Sequence, residues 1–169
     1  MANAAVWLGG AIFYTLGFAP ALVSEDIMAV LGPKNFPYFS GAIAQVAQTR
    51  YFHLELACAI VALVHLVVEW LYLGRAPRRI WTYLLVTLFW LSLIGAFWVG
   101  PKLRELHRGQ YVVNAAPAQH VAAAKSFRIW HGVFQGLNVL MIAGLATYFW
   151  RVAHPPDELR FVGSTKIRG

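Results

Sequence analysis

The sequence has few charged residues and only one cysteine. Charged side chains make up 12% of its 169 residues, whereas an ordinary soluble domain carries about 25%. Because Cys58 is the only cysteine, an intramolecular disulfide and a CxxC metal motif are both excluded. G-x-S-x-G, HExxH and glycine-rich phosphate-binding motifs are absent from the sequence as well. The chain is also small, with few residues outside its apolar runs, which leaves little room for a catalytic domain and favours a non-enzymatic protein.

Hydrophobic residues are abundant, at 59% of the chain, and they come in long runs. A soluble protein of this length has too little interior to bury so much apolar surface. A run of about 20 apolar residues is enough to cross a bilayer, and four runs qualify: residues 5–31, 51–73, 80–99 and 129–150. The sequence therefore predicts an all-α integral membrane protein, a four-helix up-down bundle surrounded by lipid.

Proline and alanine patterns add detail to this bundle. Pro20 is expected to kink the first span. The alanine-rich segment 116–128 predicts a short interfacial helix before the last span, with Pro117 in its first turn and Asn114 as its cap. Residues 1–152 are predicted to be one transmembrane domain, and residues 153–169 a short polar tail.

Four spans place both termini on one face, called side A, together with the turn at residues 74–79. Side B carries the connections 32–50 and 100–128. The fourteen Lys and Arg residues divide equally between the two sides, so the positive-inside rule gives no majority. The short "RAPRR" turn favours cytoplasmic termini. The net charge of +7 predicts attraction to anionic lipids. Nucleic acid is not an expected partner, because the basic residues flank the spans instead of forming one patch.

The second span contains a stripe of polar side chains. A helix would place them within about 60–80° of one another, so we expect the stripe to face the bundle interior. The stripe consists of Tyr51, Glu55, Cys58, His65, Glu69 and Tyr72. His65 and Glu69, with Cys58 on the same face, are the candidate metal ligands or proton relay. The alternative is a hydrogen-bonded pair that fixes the helix register.

Two histidines start the second and fourth spans at a similar depth near side B. His53 and His131 could ligate a haem b iron axially, or they could be interfacial residues that hydrogen-bond to loops. Gln135 and Asn138 continue the face of His131. An amide in a membrane helix usually hydrogen-bonds a neighbouring helix, and the candidates are the first helix and the stripe of the second. All four residues are candidate cofactor-binding residues.

The stretches "AVWLGGAIFYTLGFAP" and "FRIWHGVFQGLN" resemble the transmembrane protein 205-like family of four-helix membrane proteins. This family is similar to the copper-resistance D and membrane protoporphyrinogen oxidase proteins. The resemblance implies a four-span fold. The chain lacks the Lys-x-x-His type of helix start that the oxidase proteins carry. It has only three methionines, whereas the copper-related proteins favour clusters of Met and His. The matching residues are Trp7, Leu8, Gly9, Gly10, Phe13, Ala19, Pro20, Pro101, the segment "KLRELHR", Phe127, His131, Gly132 and Asn138.

The leading functional hypothesis is an accessory subunit of a larger membrane complex. Its polar interior, centred on His65, Glu69, His131 and Asn138, would bind a partner helix, a metal ion or a cofactor. A haem b protein in electron transfer or porphyrin oxidation, using His53 and His131, is the second hypothesis. Metal or small-solute transport by an oligomer is the third, because four helices alone make a thin pathway.

Overall fold

The computed structural model describes residues 1–74, 78–113 and 116–154. These residues form helices and connections, without a strand among them. The four long helices are each long and apolar enough to cross a membrane. The predicted all-α membrane bundle is therefore confirmed. The helices are α1 Ala2–Ala21, α2 Glu25–Leu31, α3 Phe36–Leu73, α4 Arg79–Gly109 and α5 Pro117–Ala153.

Contacts between α1 and α3 show that these two helices run in opposite directions. Near the start of α1, Asn3 Nδ2 donates to the carbonyl oxygen of Cys58 at 2.9 Å. Farther along α1, the Tyr14 ring stacks on Tyr51, with 4.3 Å between ring centroids. As the residue numbers rise on α1 they fall on α3, so α1 and α3 are antiparallel.

The α4 and α5 helices are antiparallel as well, and tryptophans mark both ends of the pair. At side B, the Trp98 and Trp130 rings meet edge to face at 5.4 Å. At side A, the Arg151 guanidinium lies over the Trp81 ring, 5.5 Å from its centroid. Each long helix packs mainly against two neighbours, in the cyclic order α1, α3, α4, α5. The up-down order of the spans follows from these contacts.

The first span is shorter than predicted. The α1 helix ends at Ala21, and α2 begins after a break at Ser24 instead of continuing the span to residue 31. Ser24 has extended backbone angles, and its Oγ accepts a hydrogen bond from the Ile27 amide at 3.4 Å. This N-cap gives the amides at the start of α2 a partner, which explains why a new helix starts there.

Two long helices contain a π-helical segment, and each segment lies just before a proline. The segments are Phe13–Phe18 in α1, before Pro20, and Gly95–Val99 in α4, before Pro101. Proline lacks an amide hydrogen, and its ring displaces the carbonyl four residues earlier. A wider turn accommodates that displacement. The irregularity expected at Pro20 is thus a π turn that precedes it.

The α3 and α5 helices extend beyond the membrane on side B. They contain 38 and 37 residues, which corresponds to about 55 Å each at 1.5 Å per residue, against a hydrocarbon core of about 30 Å. The predicted interfacial helix is continuous with the last span and starts with Pro117 at its first turn, as expected. The connection predicted at residues 32–50 is helical from Phe36.

The side B extensions pack around His107 of α4. Its Nε2 lies 3.3 Å from the Tyr38 carbonyl oxygen, and its ring lies against Tyr111 and Phe127. A Cβ at Gly41 would overlap the His107 ring, so glycine permits this close approach. His107 is buried and not solvated as its place in a connection implied. The predicted cap at Asn114 and the tail from residue 155 lie outside the described residues.

Candidate functional site

A chain of hydrogen bonds connects three helices inside the bundle. The Tyr51 hydroxyl on α3 donates to Asn138 Oδ1 on α5 at 2.7 Å. Asn138 Nδ2 in turn donates to Thr15 Oγ1 on α1, and the Thr15 hydroxyl donates to the Ala11 carbonyl oxygen at 2.7 Å. The two partners expected for Asn138, the first helix and the stripe of the second, are therefore both present.

The helix faces explain why these side chains meet. On α5, Asn138 lies in register with Met141 and Leu145, which are buried at spacings of three and four residues. That spacing is typical of one face of a helix. On α1, Thr15 bonds back to the residue four positions earlier, which is a common arrangement for threonine in a helix. Asn138 therefore reaches the centre from a face that is otherwise hydrophobic.

Glu55 lies one helical turn after Tyr51 and is almost fully enclosed. The residue is only 3% exposed. Its Oε1 has no hydrogen-bond partner among the residues that the structure describes. A buried polar atom without a partner is costly in a protein interior, and an ionisable group inside a membrane is usually functional. Glu55 is therefore the most unusual side chain in the described interior.

A small cavity adjoins the Glu55 carboxyl. Its volume is about 20 Å³, and Glu55 and Asn138 supply its polar lining among apolar neighbours such as Leu91 and Met141. A cavity needs about 10–15 Å³ on this measure to hold one water molecule. The cavity is therefore large enough for a single water that bridges the carboxyl and the amide, and too small for a haem group.

One wall of the cavity is the π-helical segment of α4. The Phe52 ring of α3 lies against this segment, and a Cβ at Gly95 would overlap the ring while one at Gly100 would crowd it. Phe134 of α5 meets the same ring edge to face at 5.8 Å. The two glycines thus create a niche for Phe52, and the aromatic ring closes the cavity between α3 and α4.

The polar stripe predicted on α3 faces inward over only part of its length. Tyr51, Glu55 and Cys58 are buried, whereas His65 and Glu69 are exposed on the outside of the bundle. A row of residues spaced by seven rotates by about 20° per heptad on a straight helix. In the second half of α3, Leu63 and Leu66 pack against the core instead. The prediction that the whole stripe faces the interior was therefore wrong for its second half.

The candidate haem ligands occupy outer positions. His53 and His131 are both exposed, and His131 lies against the Phe127 and Phe134 rings of its own helix. Gln135 is exposed too, and only Asn138 among the four cofactor candidates is buried. A haem ligated by both histidines would therefore lie on the outer surface of the bundle.

The candidate metal ligands do not come together as a set. Cys58 is buried, and His65 and Glu69 are exposed. Within residues 1–74, 78–113 and 116–154, no group of three His, Cys, Asp or Glu side chains is close enough to hold a metal ion. Metal binding by these three residues remains a prediction.

The inward face of α3 contributes buried residues to the site that were not predicted, and their spacing in the sequence could have indicated several of them. The inward face of α3 follows alternating spacings of four and three residues, which is the pattern of a packed helix seam. This polar seam, as we call it, holds three buried side chains with an atom that lacks a partner in the described structure: Gln45, Gln48 and Glu55. The complete seam is Gly41, Gln45, Gln48, Phe52, Glu55, Ala59 and Ala62.

The chain was compared with known protein families. Residues 3–112 match the model of the family described as a domain of unknown function, DUF4149. The chain belongs to the DUF4149 family. The match covers α1 to α4 of this DUF4149 protein, including Thr15, Tyr51 and Glu55, and ends before α5, which carries Asn138. No curated protein and no solved structure matches the chain. The resemblance to the transmembrane protein 205-like family stays a prediction.

Proposed function

We propose that this protein is a non-enzymatic accessory subunit of a membrane complex, and that the outer face of α3 binds a helix of another subunit. The supporting observation is the position of His65 and Glu69. They lie one turn apart on an exposed face whose neighbouring residue Val64 is 56% exposed. Polar side chains are costly against lipid, and they hydrogen-bond across helix interfaces when a partner helix is present.

The composition of this outer face suits a helix better than lipid alone. Val61, Val64 and Val68 are exposed around the two polar residues. An apolar surface of this kind gives van der Waals contact area to a second helix, and the His65–Glu69 pair fixes the register of that helix. The partner would offer a hydrogen-bond donor, such as Arg, Lys, Ser or Asn, at the depth of Glu69.

Charge favours a different protein over a second copy of this chain as the partner. A two-fold axis along the membrane normal brings the same surface of both copies together, which would set Glu69 against Glu69 at the same depth. Like charges that face each other destabilise such a pair. A helix with the complementary donor avoids this repulsion, so we expect the partner to be a different protein.

The interior of the bundle also supports a binding role for the outside. The described cavity has room for one water molecule, and the surrounding side chains pack closely against each other. Binding of a partner helix at the outer surface fits such an interior better than binding of a cofactor inside the bundle does.

Site-specific photo-crosslinking in native membranes tests the proposal. A photoreactive amino acid at Val68, beside His65 and Glu69, should give one cross-linked product that contains a second, different membrane protein. The matched control is Val139, an exposed valine on α5, which should give no such product. The product at Val68 should disappear when His65→Ala and Glu69→Ala are combined. Cross-linking to lipid alone, or to a second copy of this chain, would contradict the proposal.

A further inference from the structure

The hydrogen-bond chain at the centre of the bundle has a fixed direction. The Ala11 carbonyl oxygen can only accept a hydrogen bond, so the Thr15 hydroxyl uses its single O–H as the donor to it. Thr15 Oγ1 is then left as an acceptor for Asn138 Nδ2, which turns Asn138 Oδ1 towards Tyr51. The Tyr51 hydroxyl must donate to Oδ1, because a carbonyl oxygen has no hydrogen to give. Each bond in the chain thus sets the orientation of the next.

This direction decides what Tyr51 can offer to Glu55, one turn away on the same helix. A tyrosine has a single O–H, and Tyr51 uses it on Asn138. Towards Glu55 the phenolic oxygen can only accept. A carboxylate is also only an acceptor and would gain nothing from it, whereas a carboxylic acid has an O–H to donate. The chain therefore selects the neutral acid at Glu55.

Burial selects the same form. Glu55 is 3% exposed, and its Oε1 has no partner in the described structure. A lone carboxylate would be costly in such a low-dielectric environment. The other titratable groups facing it are Tyr51 and Cys58 on α3, with Tyr14 of α1 stacked on Tyr51. On α4 and α5, the cavity is lined by apolar residues and the Asn138 amide, so no cation there offsets a negative charge.

The polar seam of α3 continues from Glu55 towards side B. Gln48 lies about 10 Å above Glu55 along the helix axis, at seven residues, and Gln45 lies one turn farther out. Both are buried, and Gln48 Nε2 and Gln45 Oε1 lack partners within the described residues. Phe52 lies between Gln48 and Glu55 and closes the niche at Gly95. Water that hydrogen-bonds to these amides can carry a proton inward to the cavity when this ring moves aside, while the amides hold that water in place.

We propose that Glu55 is a proton-binding site within the membrane, with one water bound in the adjoining cavity, and that it exchanges its proton with side B along the polar seam. In the uptake step, a hydronium ion from side B gives one proton to the Glu55 carboxylate. The products are the neutral carboxylic acid and one water molecule, so atoms and charge balance. The ligand is a proton, and the inference does not depend on the outer face of α3.

Infrared spectroscopy of the full chain in lipid bilayers tests the site. The wild-type protein should show the C=O band of a protonated carboxyl at about pH 7, where exposed carboxyls are ionised. Glu55→Gln should remove this band, and Glu69→Gln, an exposed glutamate of the same helix, should leave it. Glu55→Asp serves as a second variant, and its band should be shifted and not lost. A band that survives in Glu55→Gln, or that is absent from the wild type, would overturn the proposal.

Deuterium exchange of the same band tests the route. Transfer into D₂O should shift the wild-type band. Gln48→Leu should slow that shift by about tenfold or more, since the axial distance from the nearest seam amide to Glu55 then grows from about 10 Å to about 15 Å. The control is Val46→Leu at an exposed position of α3, which should leave the rate unchanged. An unchanged rate in Gln48→Leu would refute the route. Loss of the band on adding Na⁺ at constant pH would instead identify a cation site and refute proton binding.

Discussion

Tyr51 on α3 and Asn138 on α5 are joined by a hydrogen bond of 2.7 Å in the interior of the bundle. The two helices run in the same direction, and this bond fixes their relative height. The Asn138 amide is bonded at both of its ends, because its Nδ2 donates to Thr15. Stability and the proposed protonation state of Glu55 therefore depend on the same pair.

Tyr51→Phe should lower the free energy of unfolding by about 1–2 kcal/mol. The substitution removes the donor and leaves Asn138 Oδ1 unpaired in a buried position. Denaturant unfolding in mixed micelles measures the change. Tyr72→Phe is the matched control, because Tyr72 lies near the end of the same helix and is 88% exposed. Equal effects of the two substitutions would argue against the bond.

Gly95→Ala should destabilise the bundle by about 1–3 kcal/mol, because a new Cβ overlaps the Phe52 ring and forces it out of its niche. Gly132→Ala on α5 is the control. A Cβ there meets no atom within 4 Å, so alanine should be neutral or stabilising by up to about 1 kcal/mol. Combining Gly95→Ala with Phe52→Leu should recover part of the loss in thermal unfolding. No recovery would indicate that the α4 backbone itself, and not the ring, resists the substitution.

The spans could be predicted from the sequence because apolar runs of bilayer length have one stable conformation in lipid. The hydropathy of the sequence does not predict the helical start of α3, and the reason is physical. Residues 36–50 contain Pro37, Gln45, Gln48 and Arg50, which interrupt the apolar run. The side B end of α4 nevertheless packs against this segment through His107, so tertiary contact completes a helix that hydropathy alone does not indicate.

The polar stripe shows why the site itself was only partly predictable. The helical periodicity correctly placed Tyr51, Glu55 and Cys58 on one buried face of α3. It could not indicate at which residue this face turns from the bundle interior to the outside. That point depends on how neighbouring helices pack, and His65 lies beyond it. The sequence does not predict Thr15 as part of the site, because the side chain of a single threonine in an apolar span usually hydrogen-bonds to the backbone of its own helix. Only the position of α5 reveals its second role.

Cysteine labelling should establish which side of the membrane carries the termini. The natural Cys58 is buried, so we expect it to react slowly and the labelling to report on the introduced thiol. With cytoplasmic termini, Lys34→Cys on side B should react with a membrane-impermeant maleimide in intact cells, and Ala2→Cys should react only after lysis. Both positions are exposed in the fold. The opposite labelling pattern would reverse the orientation.

The absorption spectrum of the natively purified protein should separate the accessory-subunit proposal from the haem hypothesis. We expect no Soret band, because His53 and His131 are both exposed and the described cavity is only about 20 Å³. If a Soret band appears, His53→Ala and His131→Ala should each abolish it, and the haem hypothesis would replace the present proposal.

The mass of the complex released from native membranes tests the central proposal most directly. Native mass spectrometry should show this chain bound to one other, different membrane polypeptide. That complex should be lost when His65→Ala and Glu69→Ala are combined, and it should persist in Gln135→Ala, which changes an exposed amide on α5. A monomer that carries only lipid, or a dimer of this chain alone, would contradict the assignment as an accessory subunit.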